Sequence, residues 1–329
     1  MFVTSRRAAM IATLFFVAGC SGGTLSQSPS LASQTANAVV HKGVPMALPM
    51  LHTMVRPQTS GNYSTKKSLV FEGDQDEAAV NVYQTAALSS NPAAIATIHV
   101  AIGCPYGLAM DKSGTLYVAD NCAPGDVEEY AKGSTTMKAA ITNGISYPLG
   151  LAIDSKQNLY VSNYPAAITV YPKGSTSPSE TITGGGMTDP FGLAIDKSGN
   201  LYIADFGVHE ILEVKAGTTT VINSGLTGVD EPIGLAIDEK TGYLWETTGQ
   251  SNVINVYAPL SSNSPIETFN GSGDPYAISL ENHGKPKAEV VISDISTHAI
   301  YAYKAGSYTS FATLTNGVEL PTGLLIDKP

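Results

Sequence analysis

Charge is scarce in this chain: Asp, Glu, Lys and Arg together make up 14% of its 329 residues. That shortage, beside 32 Gly and 19 Pro, disfavours long helices and fits many short elements joined by turns. No window shows a convincing 3.6-residue apolar period. Beyond the N-terminus no run is long and apolar enough to span a bilayer. Residues 1–67 contain no Asp or Glu, and no Arg occurs after Arg56. Residues 68–329 therefore hold all 28 acidic residues and 12 of the 18 basic ones, a net charge of −16 with His neutral. An acidic, arginine-free domain lacks the basic surface that phosphate contacts require, which excludes nucleic acid as a partner. Also missing are a Gly-x-Ser-x-Gly elbow, a His-Glu-x-x-His helix and a phosphate loop. Cysteine is limited to Cys20, Cys104 and Cys122.

What is present begins with an export signal over residues 1–19. Arg6 and Arg7 precede the apolar segment "AAMIATLFFVA", which ends in "VAGC" at Cys20. "VAGC" followed by "SGG" resembles the bacterial lipobox, which implies lipidation of Cys20 and a bacterial envelope location, attached to the membrane through lipid alone. Ser21, where some lipoproteins carry Asp, implies the outer membrane or a periplasm-facing anchor. Residues 20–67 then read as a small, polar, disordered tether.

From residue 68 a phrase repeats. Its opening Pro recurs at Pro105, Pro148, Pro190, Pro232, Pro275 and Pro321, at spacings of 43, 42, 42, 43 and 46. "PFGLAIDKSGNLYIAD" and "PLGLAIDSKQNLYVSN" each read as two short strands around a turn. Two further short segments follow each, as in "AITVYPKG" and "PSETITGG". The repeat is thus a four-stranded unit, strands a to d, and a period near 42 fits a β-propeller blade. The last phrase, "PTGLLID", supplies only strand a, whereas the first segments, "SLVFEG", "AAVNVYQTA" and "AAIATIHVA", supply only b, c and d. The expectation is an all-β, six-bladed propeller of four-stranded antiparallel blades over 68–329, closed by pairing of the C-terminal strand with the N-terminal blade.

The phrase resembles the NHL repeat, which runs Pro-x-Gly-Leu-Ala-Ile-Asp, then a Gly turn, then Leu-Tyr-Val-Ala-Asp. The resemblance covers strands a and b of nearly every blade. It implies a propeller and leaves function open, because such domains include RNA binders, protein binders, receptor sensors and a related amidating lyase. The family often has a basic residue soon after the Asp of strand b. Here "DFGVHE" keeps His209 but places Glu210 there, which turns the reading away from RNA.

The loops before strand a and after strand b share one face, around the mouth of the central channel. Tyr106, Phe191 and Tyr276 occupy one slot directly before strand a; Leu149, Ile233 and Thr322 fill it in other blades. Aromatics are therefore not demanded by the repeat there, which makes these three the candidate ligand contacts, with Asp120, Asn163, Asp205 and Asp294 as polar partners. Carboxylates and an amide are calcium-type ligands, and propeller lactonases of the gluconolactonase kind bind a metal at this place, so calcium is the one cofactor left open and no metal ligand is assigned. The plainer reading gives each Asp to loop N–H groups. Asp111, Asp154, Asp196, Asp238 and Asp327 end strand a and read as structural on the opposite face. A hairpin centred on Ser113 brings Cys104 opposite Cys122, and an exported chain favours their disulfide. The preferred function is a non-enzymatic binding or scaffolding module for a protein, peptide or carbohydrate of the envelope. The alternative is a lactonase- or lyase-type enzyme with a metal at the channel mouth.

Overall fold

The computed structural model describes residues 62–327 apart from 102, 250, 260–262, 282–288, 305–306 and 308. The signal segment and Cys20 lie outside the described residues. Six four-stranded sheets are present. Blade 1 comprises Pro105–Met110, Leu116–Asp120, Asp126–Tyr130 and Met137–Ile141; blade 2, Pro148–Ile153, Leu159–Asn163, Ala167–Tyr171 and Glu180–Ile182. Blade 3 comprises Pro190–Ile195, Leu201–Asp205, Glu210–Val214 and Val221–Asn223; blade 4, Pro232–Ile237, Leu244–Thr248, Val253–Tyr257 and Glu267–Asn270. Blade 5 comprises Pro275–Glu281, Glu289–Asp294, Ala299–Lys304 and Ser310–Leu314. The closing blade takes Pro321–Asp327 as strand a and Leu69–Asp74, Ala79–Gln84 and Ala96–His99 as b, c and d. Leu69 pairs with Asp327 and Phe71 with Leu325, so the two ends of the domain share one sheet and the ring has no open edge at the seam.

Each strand a packs on the strand a of both neighbouring blades, and these contacts run round the ring without a gap. Gly107, Gly150, Gly192, Gly234 and Gly323 sit where the inner strands come closest. A Cβ at Gly192 would meet the carbonyl of Ile233, and one at Gly150 that of Phe191. The third letter of the repeat is therefore set by backbone approach between blades. Blade 5 carries Ala277 there, packed against the cluster it shares with the closing blade. The Pro needs no ladder N–H at the first position of a strand. The register slips between Pro105 and Leu108, between Pro148 and Leu151, and between Pro190 and Leu193, so the Pro-x-Gly segment is a recurring bulge.

Because blades stack face to face, both faces of strands b and c are buried. Six apolar clusters fill the six interfaces. That between blades 2 and 3, for example, joins Ile168 and Val170 to Leu201, Ile203 and Leu212. Each such fully buried side chain stabilises the fold by about 1.5–3 kcal/mol before conformational entropy is counted. Strand d is the outer edge; Met137–Ile141 is exposed over its first two residues. A 3-10 helix, Thr85–Ser90, links strands c and d of the closing blade and buries Leu88.

The packed domain starts before Ser68. Tyr63, within the segment read as tether, is buried against Phe71, with ring centroids 5.7 Å apart, and its amide donates to Gly133 O at 2.9 Å. No helix among the described residues is long and apolar enough to cross a membrane.

Candidate functional site at the channel mouth

The second letter of the Pro-x-Gly phrase points to the axis. Tyr106, Leu149, Phe191, Ile233, Tyr276 and Thr322 line one cavity with the Leu and Ile residues two places further along strand a. Its volume is about 90 Å³, room for a few waters and too small for an organic substrate. Tyr106, Phe191 and Tyr276 belong to blades 1, 3 and 5, so they reach the axis from alternate directions. Tyr276 packs edge-on against Tyr106 at 6.2 Å and against Phe191 at 6.4 Å. The three rings are at most 9% exposed and meet one another across the axis. Burial pushes the Tyr106 phenol up to about 12 and the Tyr276 phenol well above its ordinary value. Both stay neutral, so neither supplies a tyrosinate base.

The ring contacts continue to the surface. Phe191 packs on Phe206 at 5.7 Å, and Phe206 stacks on His209 at 6.2 Å. The His209 side chain is half exposed and lies 3.3 Å from an Asp230 carboxylate oxygen. Tyr164, at the same turn of blade 2, is exposed. Phe206, His209 and Tyr164 are the accessible rings of the mouth, the first two continuing from Phe191.

The carboxylates closing strand b latch the incoming loop. Asp205 accepts the N–H groups of Thr188, Asp189, Gly207 and Val208. Asp120 accepts those of Gly103 and Cys104. Asn163 Oδ1 accepts that of Ser146, whereas Asp294 accepts those of Ser296 and Thr297, in the turn that follows its own strand. In the closing blade this role falls to Asp74 rather than to Gly73, the residue that the repeat alignment puts there. Asp74 accepts from Asp76, Glu77, Glu319 and Leu320. The strand, Leu69–Asp74, begins and ends one residue later than "SLVFEG", so the sequence frame was off by one. Blade 4 has Thr248 instead, whose hydroxyl serves Val253 and Ser251. On the opposite face Asp111, Asp154, Asp196 and Asp238 accept turn N–H groups, such as Thr115 N to Asp111 at 2.8 Å.

Charge divides between the two faces. The loops on the mouth side, among them 75–78, 121–125, 183–189, 224–231 and 315–320, contain no Lys or Arg, and they carry Asp76, Glu77, Asp189, Asp230, Glu231 and Glu319. Lys112, Lys156, Lys197 and Lys240 lie in the a–b turns, and Lys132, Lys173 and Lys215 in the c–d turns, of the other face. The mouth is therefore an acidic rim around an apolar floor. Burial, and then the Asp205 charge, push the Asp189 carboxyl up to about 7.

Cys104 and Cys122 are joined by a disulfide, with Cα atoms 5.2 Å apart. The ladder does not oppose them directly. The bulge shifts the pairing so that Pro105 faces Asp120, and Cys104 O accepts from Asn121 N. The simple hairpin register holds only from Leu108 to Met110. Among the described residues, sets of three ligand-type side chains within one ion's reach involve only blade 1. They are Asp120 with Asp126 and Glu128, and Asp120 with the two disulfide-bonded cysteines. Asp205 and Asp294 join no such set.

No protein-family model matches the chain, and no curated protein matches it. Solved structures do. The crystal structure of a nidogen/laminin complex contains a chain of which 98% aligns to 79% of this one, with a TM-score of 0.66 and 16% identity. The structure of streptogramin B lyase aligns over 83% of this chain and 89% of its own, with a TM-score of 0.60 and 13% identity. At such identities the likeness establishes the β-propeller and nothing about activity. One of these neighbours comes from a binding complex and the other is a lyase, so the fold alone does not choose between them.

Proposed function

We propose that the chain is a lipid-anchored, NHL-like propeller of the bacterial envelope that binds a protein, peptide or carbohydrate at the channel mouth without turning it over. The observation that carries this reading is the commitment of the mouth's polar groups. Asp120, Asn163, Asp205 and Asp294 hold loop backbone, Tyr106 and Tyr276 are neutral and buried, and the cavity that the two tyrosines line is only about 90 Å³. A site whose strand-b carboxylates are bonded to loop backbone, above a cavity below substrate size, is suited to recognition. Tyr106, Phe191 and Tyr276 form its rigid floor; Phe206, Tyr164 and His209 present the rings that a partner touches, and the acidic rim repels anionic ligands and favours cationic or neutral ones. The nidogen propeller in its laminin complex offers the parallel of a propeller that engages a protein.

The test is binding of the purified chain to arrays of cationic peptides and of cell-wall glycans, alongside turnover of a lactone panel. Phe206→Ala and Tyr164→Ala should weaken capture at least tenfold while the melting temperature moves by only a few degrees. Cation-dependent hydrolysis of a lactone, abolished by the same variants, would replace this reading with the enzymatic one. Lipidation is checked separately, by fatty-acid labelling that Cys20→Ala removes.

A further inference from the structure

Blade 1 departs from the other blades in strand c. At the two positions held by Asp126 and Glu128, the other five blades carry a single carboxylate between them, Glu210 of blade 3. Asp126 lies directly opposite Asp120, and Glu128 follows two residues on, opposite Val118. Residues two apart on a strand share a face, so the three carboxylates project from one side of the sheet. One oxygen from each lies within 4.8 Å of the others, about twice a calcium–oxygen bond. Asp120 and Glu128 are fully buried and Asp126 is 8% exposed.

Three carboxylates in that arrangement oppose one another and are poorly solvated. Some donors are in place: Ala101 N reaches Glu128 at 2.6 Å, the Tyr130 hydroxyl bonds its other oxygen, and the amides of Gly103 and Cys104 reach Asp120. Asp126 differs. Its Oδ1 is shut off from solvent and accepts no hydrogen bond. Neither Asp126 nor Glu128 forms an ion pair among the described residues, and the flanking loops, 100–104 and 121–125, contain no Lys or Arg. A repeat position that merely latches a loop, as Asp205 does, is saturated by N–H groups. Asp126 adds a carboxylate beyond that latch, with no hydrogen bond to its Oδ1.

We propose that Asp120, Asp126 and Glu128 bind a calcium ion that fastens the b–c turn of blade 1 to the loop entering the blade. The donors are hard oxygens, and the two nearby sulfurs are spent in the disulfide, which disfavours zinc and other soft-ligand metals. Calcium accepts irregular sets of carboxylate and carbonyl oxygens, whereas magnesium holds several waters that so buried a site has little room for. Asp120 also holds the Cys104 amide, so ion and disulfide clasp the same loop. The site is structural, is separate from the channel cavity, and stands whether or not the mouth binds a partner.

Terbium binding and melting of the full chain test it. Terbium should give tyrosine-sensitised emission through Tyr130, displaced by CaCl2, and about 5 mM CaCl2 should raise the melting temperature by about 5 °C over EDTA. Asp126→Asn and Glu128→Gln should abolish both responses, and Glu210→Gln in blade 3 should keep them. The proposal fails if CaCl2 neither displaces terbium nor moves the melting temperature of the wild type, which decides the matter even if the blade 1 variants do not fold. It also fails if the response survives in a folded Asp126→Asn, or if MgCl2 acts as strongly as CaCl2.

Discussion

Blades 1 and 3 read almost alike through their first two strands, "PYGLAMDKSGTLYVAD" against "PFGLAIDKSGNLYIAD", and they diverge in the third, "DVEEY" against "EILEV". Where the letters agree the structures agree. Both strands a bulge at Pro-x-Gly, both turn Asp residues hold the a–b turn, and Asp120 and Asp205 both latch the incoming loop. Where they diverge, blade 3 places Leu212 in the apolar cluster it shares with blade 2, and blade 1 places Glu128 beside Asp120 and Asp126. The repeat letters thus describe the scaffold, and the chemistry specific to this chain sits in the departures.

The largest effect should come from breaking the scaffold at its seam. Removal of 321–329 deletes the strand that pairs with Leu69–Asp74 and opens two inter-blade interfaces. The chain should lose its cooperative thermal transition and aggregate; a truncated chain that melts at an unchanged temperature would refute the closure. Next comes Gly192→Ala. The added Cβ would press on the Ile233 carbonyl and lie 2.9 Å from Leu235 N, backbone atoms that cannot step aside. A cost of about 3 kcal/mol, or roughly 6–12 °C in melting temperature, is expected. Ala277→Gly, the reverse change in blade 5, should cost only about 1 kcal/mol.

A smaller effect separates a latch from a surplus charge. Asp205→Ala leaves the amides of Thr188, Asp189, Gly207 and Val208 without their acceptor and should cost about 2–4 kcal/mol by chemical denaturation. Asp126→Asn, measured in EDTA, should do the opposite and stabilise by about 1 kcal/mol, because it removes a charge facing Asp120. Equal losses for the two would erase the distinction between them.

How much of this was readable in the sequence follows from the same division. The blade number, the strand order and the closure were legible because a 42-residue period and an unmatched strand at each end leave one arrangement that has no open edge. The turn Asp residues were legible because an Asx turn needs nothing beyond its own neighbours. The disulfide pairing followed from proximity in the hairpin, though the bulge altered the register that suggested it. Asp126 and Glu128 were not legible. In "DVEEY" alternating acids look like a solvent face, and only the stacking of blades, which buries both sides of strand c, turns them into a buried cluster. Nor was the meeting of Tyr106, Phe191 and Tyr276 at the axis, since a residue type at the second position of strand a does not reveal whether its ring meets solvent or other rings.

The last comparison sets strand b of blade 4, "LWETT", beside "LYIAD" of blade 3: Glu246 stands where Ile203 does. Glu246 is fully buried in an apolar interface, and its Oε2 accepts from Tyr257 at 2.9 Å and Asn255 at 3.1 Å. Burial, partly offset by those two bonds and reinforced by Asp230, pushes its carboxyl up to about 7. The folded state therefore holds a proton that the unfolded chain releases near the ordinary value of about 4.3. Stability linked to this group is full below that value and is lost as pH rises through about 7, because the folded state binds more protons across the window. The change amounts to about 4 kcal/mol at most. Burial sends Asp189, Asp74 and Glu72 in the same direction, so the wild type should melt at a higher temperature at about pH 5 than at pH 8. Glu246→Gln copies the protonated acid, with one carbonyl oxygen able to accept from both Tyr257 and Asn255. The variant should match the wild type near pH 5, exceed it by about 1–3 kcal/mol at pH 8, and show a shallower pH slope in urea denaturation. A variant with the wild-type slope would mean that Glu246 titrates as an ordinary carboxylate and that blade 4 tolerates its charge.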